Sequence, residues 1–453
     1  MLTAMLTGQK AMVSFTGCIM TKLTAKRFMP KTLICAVSAS LAISLSPQSE
    51  AEDIASLSVP STITSNIDLA EIDKRASQLM QQLQMVGLSV AIVENGDMTF
   101  AKGYGEVYRN SQMKVTEDTV FRWASVSKGV AAATVLSLQE EGHFELEQPA
   151  KLHATSLELP PHEVDVSIED LLSHRVGIVR NAYDRRIEDG QSSQKVRGAL
   201  KNLEYLCEPG TCHTYQNVAF DASAEIVETV TGLPYKSVVE ERIFEPLEMD
   251  TASLTLDGLK RSKSWARPHG RSGAPIHRVK ENYYRVPAAA GVNSSVKDLA
   301  KWMTAQMPPQ NITAQNITKQ NSSALSEETS LTHLPMQTNE PLKISQTIIE
   351  NMQTPRVETL REQRFMRRKY MSLKNAHYGL GWRVYDYAGN RVIGHRGGVE
   401  GYRALVLFDP EKRAGIAMMW NSPHSQPIGL QLEFMDQLYG LPKKDWLRLN
   451  TKS

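Results

Sequence analysis

The residues of this 453-residue chain that could do chemistry begin with a serine and a lysine three positions apart, in Ser125-Val-Ser-Lys128. On a helix, residues three apart lie on one face, so the Lys128 amine can sit against the Ser125 hydroxyl. A serine alcohol is a weak nucleophile until a base accepts its proton, and a partly buried lysine beside other cations can do so. The same pair also fits a plain helix start, with Ser125 as N-cap and Lys128 in solvent.

Two later motifs add candidates in a fixed order along the chain. Tyr215-Gln-Asn217 stands at the predicted start of a helix, and His395-Arg-Gly-Gly398 lies at a predicted strand near the C-terminus. Alone, the first fits a turn with a half-buried ring and the second fits a surface turn. Together with the serine and the lysine, their order and spacing are poorly explained by chance.

With these motifs the chain resembles the penicillin-recognising serine hydrolases, in particular class C β-lactamases, DD-peptidases and the esterases of the same family. The resemblance runs from about Asp68 to Leu441, apart from a polar insertion. The similar segments, in family order, are FRWASVSKGVAAATVLSLQEEG, SIEDLLSHRVGI, EPGTCHTYQNVAF, AAAGVNSSVKDLAKWM, HYGLGW and GHRGGVEGYRALVLFDPEKRAGIAMMWN.

The resemblance implies a catalytic role for four of these residues. Ser125 would be the acylated nucleophile, and Lys128 would be its hydrogen-bonded activator. Tyr215 would pass a proton to the leaving group and later help to activate water. His395 would supply a donor that faces Tyr215. Asn217 would hold the amide group of the substrate.

The resemblance also implies an oxyanion hole made by the backbone N–H groups of Ser125 and Gly398, and substrate contacts at Arg396 and Gly397. Losing one oxyanion donor costs roughly 3 kcal/mol of transition-state stabilisation. At Arg396 the chain departs from the Lys-Thr-Gly pattern of β-lactamases, because His-Arg-Gly offers neither the ammonium nor the hydroxyl. Turned into the cleft, Arg396 would bind a carboxylate with its fork. Turned outward, as strand alternation equally allows, it would not.

The function implied by the resemblance is an exported serine hydrolase that acts on an amide or ester through an acyl-serine intermediate. The alternatives are a family esterase on small esters, a DD-peptidase or D-aminopeptidase on D-amino-acid peptides, and a non-catalytic protein that binds penicillin or peptidoglycan peptides. The expected partner is a small-molecule or short-peptide substrate. No cofactor and no metal are expected.

The N-terminus predicts an export signal over residues 1–51. A basic stretch, KLTAKRFMPK, precedes an apolar run of 14 residues and a small-x-small cleavage site, Ser-Glu-Ala, at 49–51. The run is short for a bilayer span. We therefore expect cleavage, no stable membrane span afterwards, and a periplasmic or secreted protein; an uncleaved anchor is the alternative.

The charge of the remaining chain is balanced. Without the five basic residues and the one acid of residues 1–51, the chain carries 46 basic and 48 acidic residues. A near-neutral balance argues against a nucleic-acid partner. A basic run at 356–369 (RVETLREQRFMRRK) is interpreted as a solvated helix face, with an acidic polymer or a lipid surface as the alternative.

Cys207 and Cys212 are the two cysteines that remain after the signal, in CEPGTCHTYQN. A zinc site would need four ligands, and a common haem anchor has two residues between its cysteines where this segment has four. In an oxidising compartment the two thiols could form a disulfide across the Pro209-Gly210 turn. Such a bridge would end three residues before Tyr215 and brace it.

Hydrophobic periodicity predicts an α+β fold for the single domain at 52–453. Strands at both ends (parts of 66–120 and 376–441) would form one antiparallel sheet flanked by helices, and a mainly helical subdomain (125–375) would be inserted between them. The segment 308–341 is expected to be a flexible polar insertion. The predicted elements are a hairpin at 88–105 around Asn95-Gly96, helices at 68–85, 125–141, 168–173, 219–231, 235–244, 295–306 and 428–438, and strands at 382–387, 391–394, 402–408 and 415–420.

Overall fold

A computed structural model describes residues 67–276, 278–309, 344–369 and 372–449, and the structural statements below concern these residues. The expected signal at 1–51 and nearly all of the insertion at 308–341 lie outside them. Within the described ranges, no helix combines the length and the apolar character that a bilayer crossing needs.

Strands from both ends of the chain form one antiparallel sheet, as predicted. Its order is β2-β1-β10-β9-β8-β7-β6-β5. The two ends meet where β1 pairs with β10, with Leu88 opposite Trp420. A separate two-stranded ladder joins β3 to β4. The strands are β1 (Gly87–Glu94), β2 (Asp97–Gly105), β3 (Phe121–Arg122), β4 (Asn293–Ser294), β5 (Val357–Glu358), β6 (Leu373–Tyr378), β7 (Arg383–Tyr387), β8 (Asn390–Val399), β9 (Tyr402–Asp409) and β10 (Ala414–Trp420).

Helices cover both faces of this sheet and form most of the middle of the chain. Those in the described ranges are α1 (Leu69–Leu79), α2 (Ser127–Glu140), α3 (Ile168–Leu172), α4 (Asp184–Glu188), α5 (Ser193–Gly198), α6 (Ala222–Thr231), α7 (Tyr235–Val239), α8 (Leu256–Arg261), α9 (Pro287–Ala290), α10 (Val296–Thr304), α11 (Gln346–Gln353), α12 (Leu360–Lys369) and α13 (Ile428–Leu438).

Alternation along the strands builds two hydrophobic cores. On β9, Leu405 joins a core with residues of α1 and α13. The next residue, Val406, joins the larger core with the helical part of the chain. Because successive strand residues point to opposite faces, one strand serves both cores. The helix α2 crosses the larger core and is buried from Ser127 to Leu138.

The predicted hairpin is confirmed, because Asn95 and Gly96 link β1 to β2 with φ of +56° and +91°. Positive φ at both central residues is what a tight turn between twisted strands requires, and Asn-Gly tolerates it. The sheet extends further than predicted, since β5 and β6 begin before residue 376. Both strands are short and carry polar residues, so their sequence gives little strand signal.

Candidate active site

Ser125 lies in a single 3₁₀ turn, Ala124–Val126, that leads directly into α2. Ala124 has a φ of +49°, a left-handed conformation that costs a residue with a side chain on the order of 1–3 kcal/mol. Ser125 is partly exposed, whereas the residues on both sides of it are buried. The strained turn therefore leaves one accessible hydroxyl at the start of a buried helix.

Lys128 is fully buried in the first turn of α2. Its Nζ donates to Asn217 Oδ1 at 2.7 Å and to the Ala289 carbonyl at 2.9 Å. It also lies 4.9 Å from the centre of the Tyr215 ring. Within the described residues, no carboxylate forms a salt bridge with Lys128, and no hydrogen bond joins its Nζ to Ser125 Oγ. Two of its three N–H donors are thus engaged, and the third is left for the predicted activation.

Asn217 connects the lysine to a partly buried acid. Its side-chain Nδ2 donates to Asp184 Oδ2 at 2.7 Å, while its Oδ1 accepts from Lys128. Burial raises the pKa of Asp184, and its other oxygen, Oδ1, is buried without a hydrogen-bond partner in the described part of the chain. Both the oxygen and the nitrogen of the Asn217 amide already make a hydrogen bond. The predicted contact with a substrate amide would therefore use a second hydrogen bond of one of these two atoms.

Tyr215 is held by the segment that follows α3. The Tyr215 carbonyl accepts from the Asn181 N–H, and the next residue, Gln216, donates its N–H to His174 Nδ1. The His174 ring lies 4.1 Å from the Tyr215 ring, centre to centre. Burial and then the charge of Lys128 hold the pKa of His174 well below its usual range. A neutral imidazole therefore supports the Tyr215 ring.

His395 lies on β8 with both ring nitrogens engaged. Nδ1 is 3.0 Å from the Arg396 carbonyl, which can only accept, so Nδ1 carries the proton. Nε2 must then accept from the Tyr378 hydroxyl, also at 3.0 Å. Tyr378 stands between His395 and Tyr215. The ring centres of Tyr378 and Tyr215 are 6.4 Å apart. His395 was predicted to direct a donor at Tyr215, but both of its ring nitrogens already have hydrogen-bond partners. Any effect of His395 on Tyr215 therefore passes through Tyr378.

Gly397 brings β8 against the turn that carries Ser125. A Cβ built on Gly397 would lie 1.9 Å from the Trp123 carbonyl oxygen and 3.1 Å from Ala124 Cβ. Gly397 thus permits a close backbone approach that no other residue could make. Gly398, the predicted oxyanion donor, follows it and is exposed.

Arg396 points to an acid on α12. Its Nη2 donates to Glu362 Oε1 at 2.5 Å, and Glu362 also binds the Arg383 guanidinium and the Tyr385 hydroxyl. One carboxylate therefore holds two arginines of neighbouring strands. Binding of a substrate carboxylate by Arg396 would require this pair to open.

Cys207 and Cys212 are joined by a disulfide, with their Cα atoms 6.3 Å apart. The carbonyl of Cys207 faces Gly177, and the N–H of Thr214 donates to the His174 carbonyl. The bridged loop is thereby tied to the same segment that holds Tyr215.

A family model described as Beta-lactamase matches residues 72–436, which span most of the chain. The chain belongs to the beta-lactamase family. An unguisins hydrolase of Aspergillus violaceofuscus is 25% identical over 410 residues, covering 86% of this chain and 68% of that protein. A beta-lactamase of Pseudomonas fluorescens is 24% identical over 238 residues, covering 52% and 64%.

A solved structure shares the fold of this chain. The octameric penicillin-binding protein homologue from Pyrococcus abyssi superposes with a TM-score of 0.66 over 83% of this chain and 78% of that one, at 22% identity. At this identity the likeness supports the fold alone. The predicted fold, an antiparallel sheet from both termini flanked by helices, is confirmed.

Four residues of this beta-lactamase-family site were not singled out from the sequence: His174, Asp184, Tyr378 and Arg383. His174 and Tyr378 lie in the segments SIEDLLSHRVGI and HYGLGW. The likeness of these segments to the family was noted, but it assigned no function to either residue. The Arg383 guanidinium lies 5.7 Å from the Tyr215 ring centre. Asp184 gave no signal, because it stands in a polar stretch of the sequence.

The buried, neutral His213 leads to a prediction about how the free energy of unfolding depends on pH. Burial, then Arg383 and Arg180, lower the pKa of His213 to about 3. Unfolded, its pKa is about 6.5, so below that pH the unfolded chain binds one proton more than the folded protein. Between pH 7.5 and 5, this single residue should therefore lower the free energy of unfolding by about 2 kcal/mol.

The variant His213→Gln should lose about 2 kcal/mol less stability than the wild type over that range, measured by urea unfolding at both pH values. Buried acids such as Asp221, whose pKa burial raises to about 7, titrate in both proteins and cancel in the comparison. Equal pH dependence in the two proteins would contradict a buried neutral His213.

Proposed function

We propose that this chain is a serine hydrolase that transfers the acyl group of an amide or ester first to Ser125 and then to water. The observation that carries the proposal is the position of Lys128. Its buried amine stands one helical turn from the accessible Ser125 hydroxyl, against the Tyr215 ring, and without a salt-bridged acid in the described residues. A buried amine that has two hydrogen bonds but no ion pair among the described residues is placed for proton transfer beside Ser125 and Tyr215.

In the acylation step, Ser125 Oγ attacks the carbonyl carbon of the substrate. The hydroxyl proton passes to the basic pair formed by Lys128 and Tyr215, and Tyr215 delivers a proton to the departing nitrogen or oxygen. The bond to the leaving group breaks and an ester to Ser125 remains. The backbone N–H groups of Ser125 and Gly398 would bind the negative oxygen of the tetrahedral intermediate.

In the deacylation step, water takes the place vacated by the leaving group. As the water oxygen attacks the Ser125 ester, Tyr215 accepts a proton from that water. The proton then returns to Ser125 Oγ as the acid departs. The neutral imidazoles of His174 and His395 add no positive charge near Tyr215. Lys128 and Arg383 are cations that lie near the Tyr215 ring.

The substrate class is proposed as an amide or ester without commitment to a β-lactam ring. The relatives named as an unguisins hydrolase and a beta-lactamase support hydrolysis. The pair between Arg396 and Glu362, together with the absence of a threonine at position 396, favours small esters or peptides over β-lactams. Export to the periplasm or medium is proposed as well, supported by the N-terminal pattern and by the disulfide.

The test is turnover of 4-nitrophenyl acetate and, separately, of a chromogenic cephalosporin by the wild type and Ser125→Ala. We expect ester hydrolysis that Ser125→Ala abolishes and that the surface variant Ser193→Ala retains. Ester turnover without cephalosporin turnover would place the protein on the esterase branch. A folded wild-type protein that turns over neither substrate would support the non-catalytic binding protein instead.

A further inference from the structure

The helix α12 is strongly basic, and its one acid is turned toward the sheet. Its sequence, LREQRFMRRK, contains five basic residues and a single acid, Glu362. The Glu362 side chain is only 12% exposed and binds the guanidiniums of Arg383 on β7 and Arg396 on β8. These ion pairs fix α12 to the sheet. They also engage the negative charge of the helix on its inner side, away from the arginines of its outer side.

Two exposed arginines lie on the outer side of α12. Neither Arg361 nor Arg364 has an ion pair with an acid in the described ranges, and Arg364 Nε donates to the Leu360 carbonyl of its own helix at 3.4 Å. An exposed acid, Glu358, lies on β5 just before the helix. The basic residues that follow in the same helix are Arg367, Arg368 and Lys369. The outer side of α12 therefore presents positive charge to the solvent.

Two large apolar side chains share this outer side. Leu360 is 55% exposed and Phe365 is 41% exposed. Leu360 lies one helical turn before Arg364. Phe365 lies one turn after Arg361, so the four positions share one face of the helix. A single exposed apolar residue is ordinary, but two of them on one basic face form the pattern of a helix that lies in a membrane interface.

The neighbouring surface has the same character. Arg180 lines a cavity of about 600 Å³ together with Arg361 and Arg364. Its Nε is buried without a hydrogen-bond acceptor in the described part of the chain, and burial and then the Arg361 guanidinium lower the pKa of Arg180. The residue before it, Val179, is 44% exposed. Basic and apolar side chains thus continue from α12 to the segment of Arg180.

We propose that the docking face of α12, formed by Leu360, Arg361, Arg364 and Phe365, lies on an anionic phospholipid surface. The two guanidinium forks bind headgroup phosphates. Leu360 and Phe365 enter the boundary between headgroups and acyl chains. A soluble acidic polymer would pair with the arginines but would leave both apolar side chains in water, so the lipid surface is the better match. This docking needs no membrane-spanning helix, and it does not depend on the proposed function.

The first test is sedimentation with vesicles of phosphatidylcholine, with and without phosphatidylglycerol. It uses residues 52–453, which contain the described elements of both cores, so that the basic N-terminus cannot contribute to binding. We expect binding to the vesicles with phosphatidylglycerol, and weaker binding as the salt concentration rises. Arg361→Gln/Arg364→Gln should lower the affinity by about 30-fold, the loss expected for two basic residues at an anionic surface.

The matched control is Arg185→Gln/Arg261→Gln, which removes two exposed guanidiniums from other parts of the surface and should leave vesicle binding unchanged. Urea unfolding of each variant verifies that it is folded. Ester hydrolysis is not among the readouts, so failure of the proposed function would leave this test unaffected.

The second test asks whether the apolar side chains enter the lipid. The two cysteines of residues 52–453 are joined in the disulfide, so Phe365→Cys introduces a single free thiol for an environment-sensitive nitrobenzoxadiazole label. We expect its emission to shift to the blue and to brighten on vesicles that contain phosphatidylglycerol. The same label on Leu233→Cys, an exposed position outside the docking face, should not respond.

Each outcome decides the proposal. Absence of vesicle binding by the folded wild type, equal binding by Arg361→Gln/Arg364→Gln, or a label at position 365 that stays in water would overturn the docking face. Soluble polyglutamate separates the remaining partner. If it binds as tightly as the vesicles do, and the label at position 365 does not respond to lipid, the partner is an acidic polymer and the lipid proposal is wrong.

Discussion

Lys128→Met is expected to lower kcat by on the order of 10³-fold or more while the protein remains as stable as the wild type within about 1 kcal/mol. Methionine fills the same buried space but cannot accept or donate a proton. The variant loses two hydrogen bonds, to Asn217 and Ala289, and it also removes a desolvated ammonium with no salt-bridged acid in the described residues. The measurements are ester hydrolysis and urea unfolding on the same preparation.

The control for Lys128→Met is Lys201→Met, which removes a half-exposed lysine paired with Glu158 and should leave kcat unchanged. Loss of a structurally paired buried lysine would instead cost roughly 3–5 kcal/mol. A large stability loss with kcat preserved would show that Lys128 serves the fold and not the chemistry.

Gly397→Ala is expected to lower kcat by about 10²-fold and the free energy of unfolding by about 1–3 kcal/mol. The added methyl group would lie 1.9 Å from the Trp123 carbonyl oxygen, so β8 must move away from the turn that carries Ser125. That movement displaces the predicted oxyanion donor from the nucleophile. Both quantities are measured as for Lys128→Met.

Gly270→Ala is the matched control, because the nearest atom to its added methyl group would be the Ala274 carbonyl oxygen at 3.8 Å. It should leave kcat unchanged. If Gly397→Ala kept wild-type kcat, the close contact between β8 and the Ser125 turn would have no part in catalysis.

Features that depend on neighbours in the sequence could be predicted from the sequence. The Asn95-Gly96 turn needs only local φ preferences, and the helix predicted over 125–141 corresponds to the 3₁₀ turn that carries Ser125 and to α2. The strand patterns at both ends of the chain predicted that these strands share one antiparallel sheet, but they did not predict the order of its strands. The family resemblance placed Lys128 and Tyr215 in one site, and the Lys128 Nζ lies 4.9 Å from the centre of the Tyr215 ring.

Features that depend on distant segments could not be predicted in this way. Strand alternation alone could not choose the side of Arg396, because its partner Glu362 stands in a run dominated by basic residues. The hydrogen-bond partner of His395 Nε2 is the Tyr378 hydroxyl, which a different strand supplies. His174 became informative only when the fold brought it beside Tyr215.

The central claim is an acyl-enzyme at Ser125, and intact-mass spectrometry tests it most directly. The wild type is exposed briefly to 4-nitrophenyl acetate and, separately, to a fluorescent penicillin, quenched in acid, and digested to locate the adduct. We predict a mass increase of one acyl group from at least one reagent, on the peptide that contains Ser125, and none in Ser125→Ala. Turnover that survives Ser125→Ala, or an acyl group located on another residue, would contradict the account.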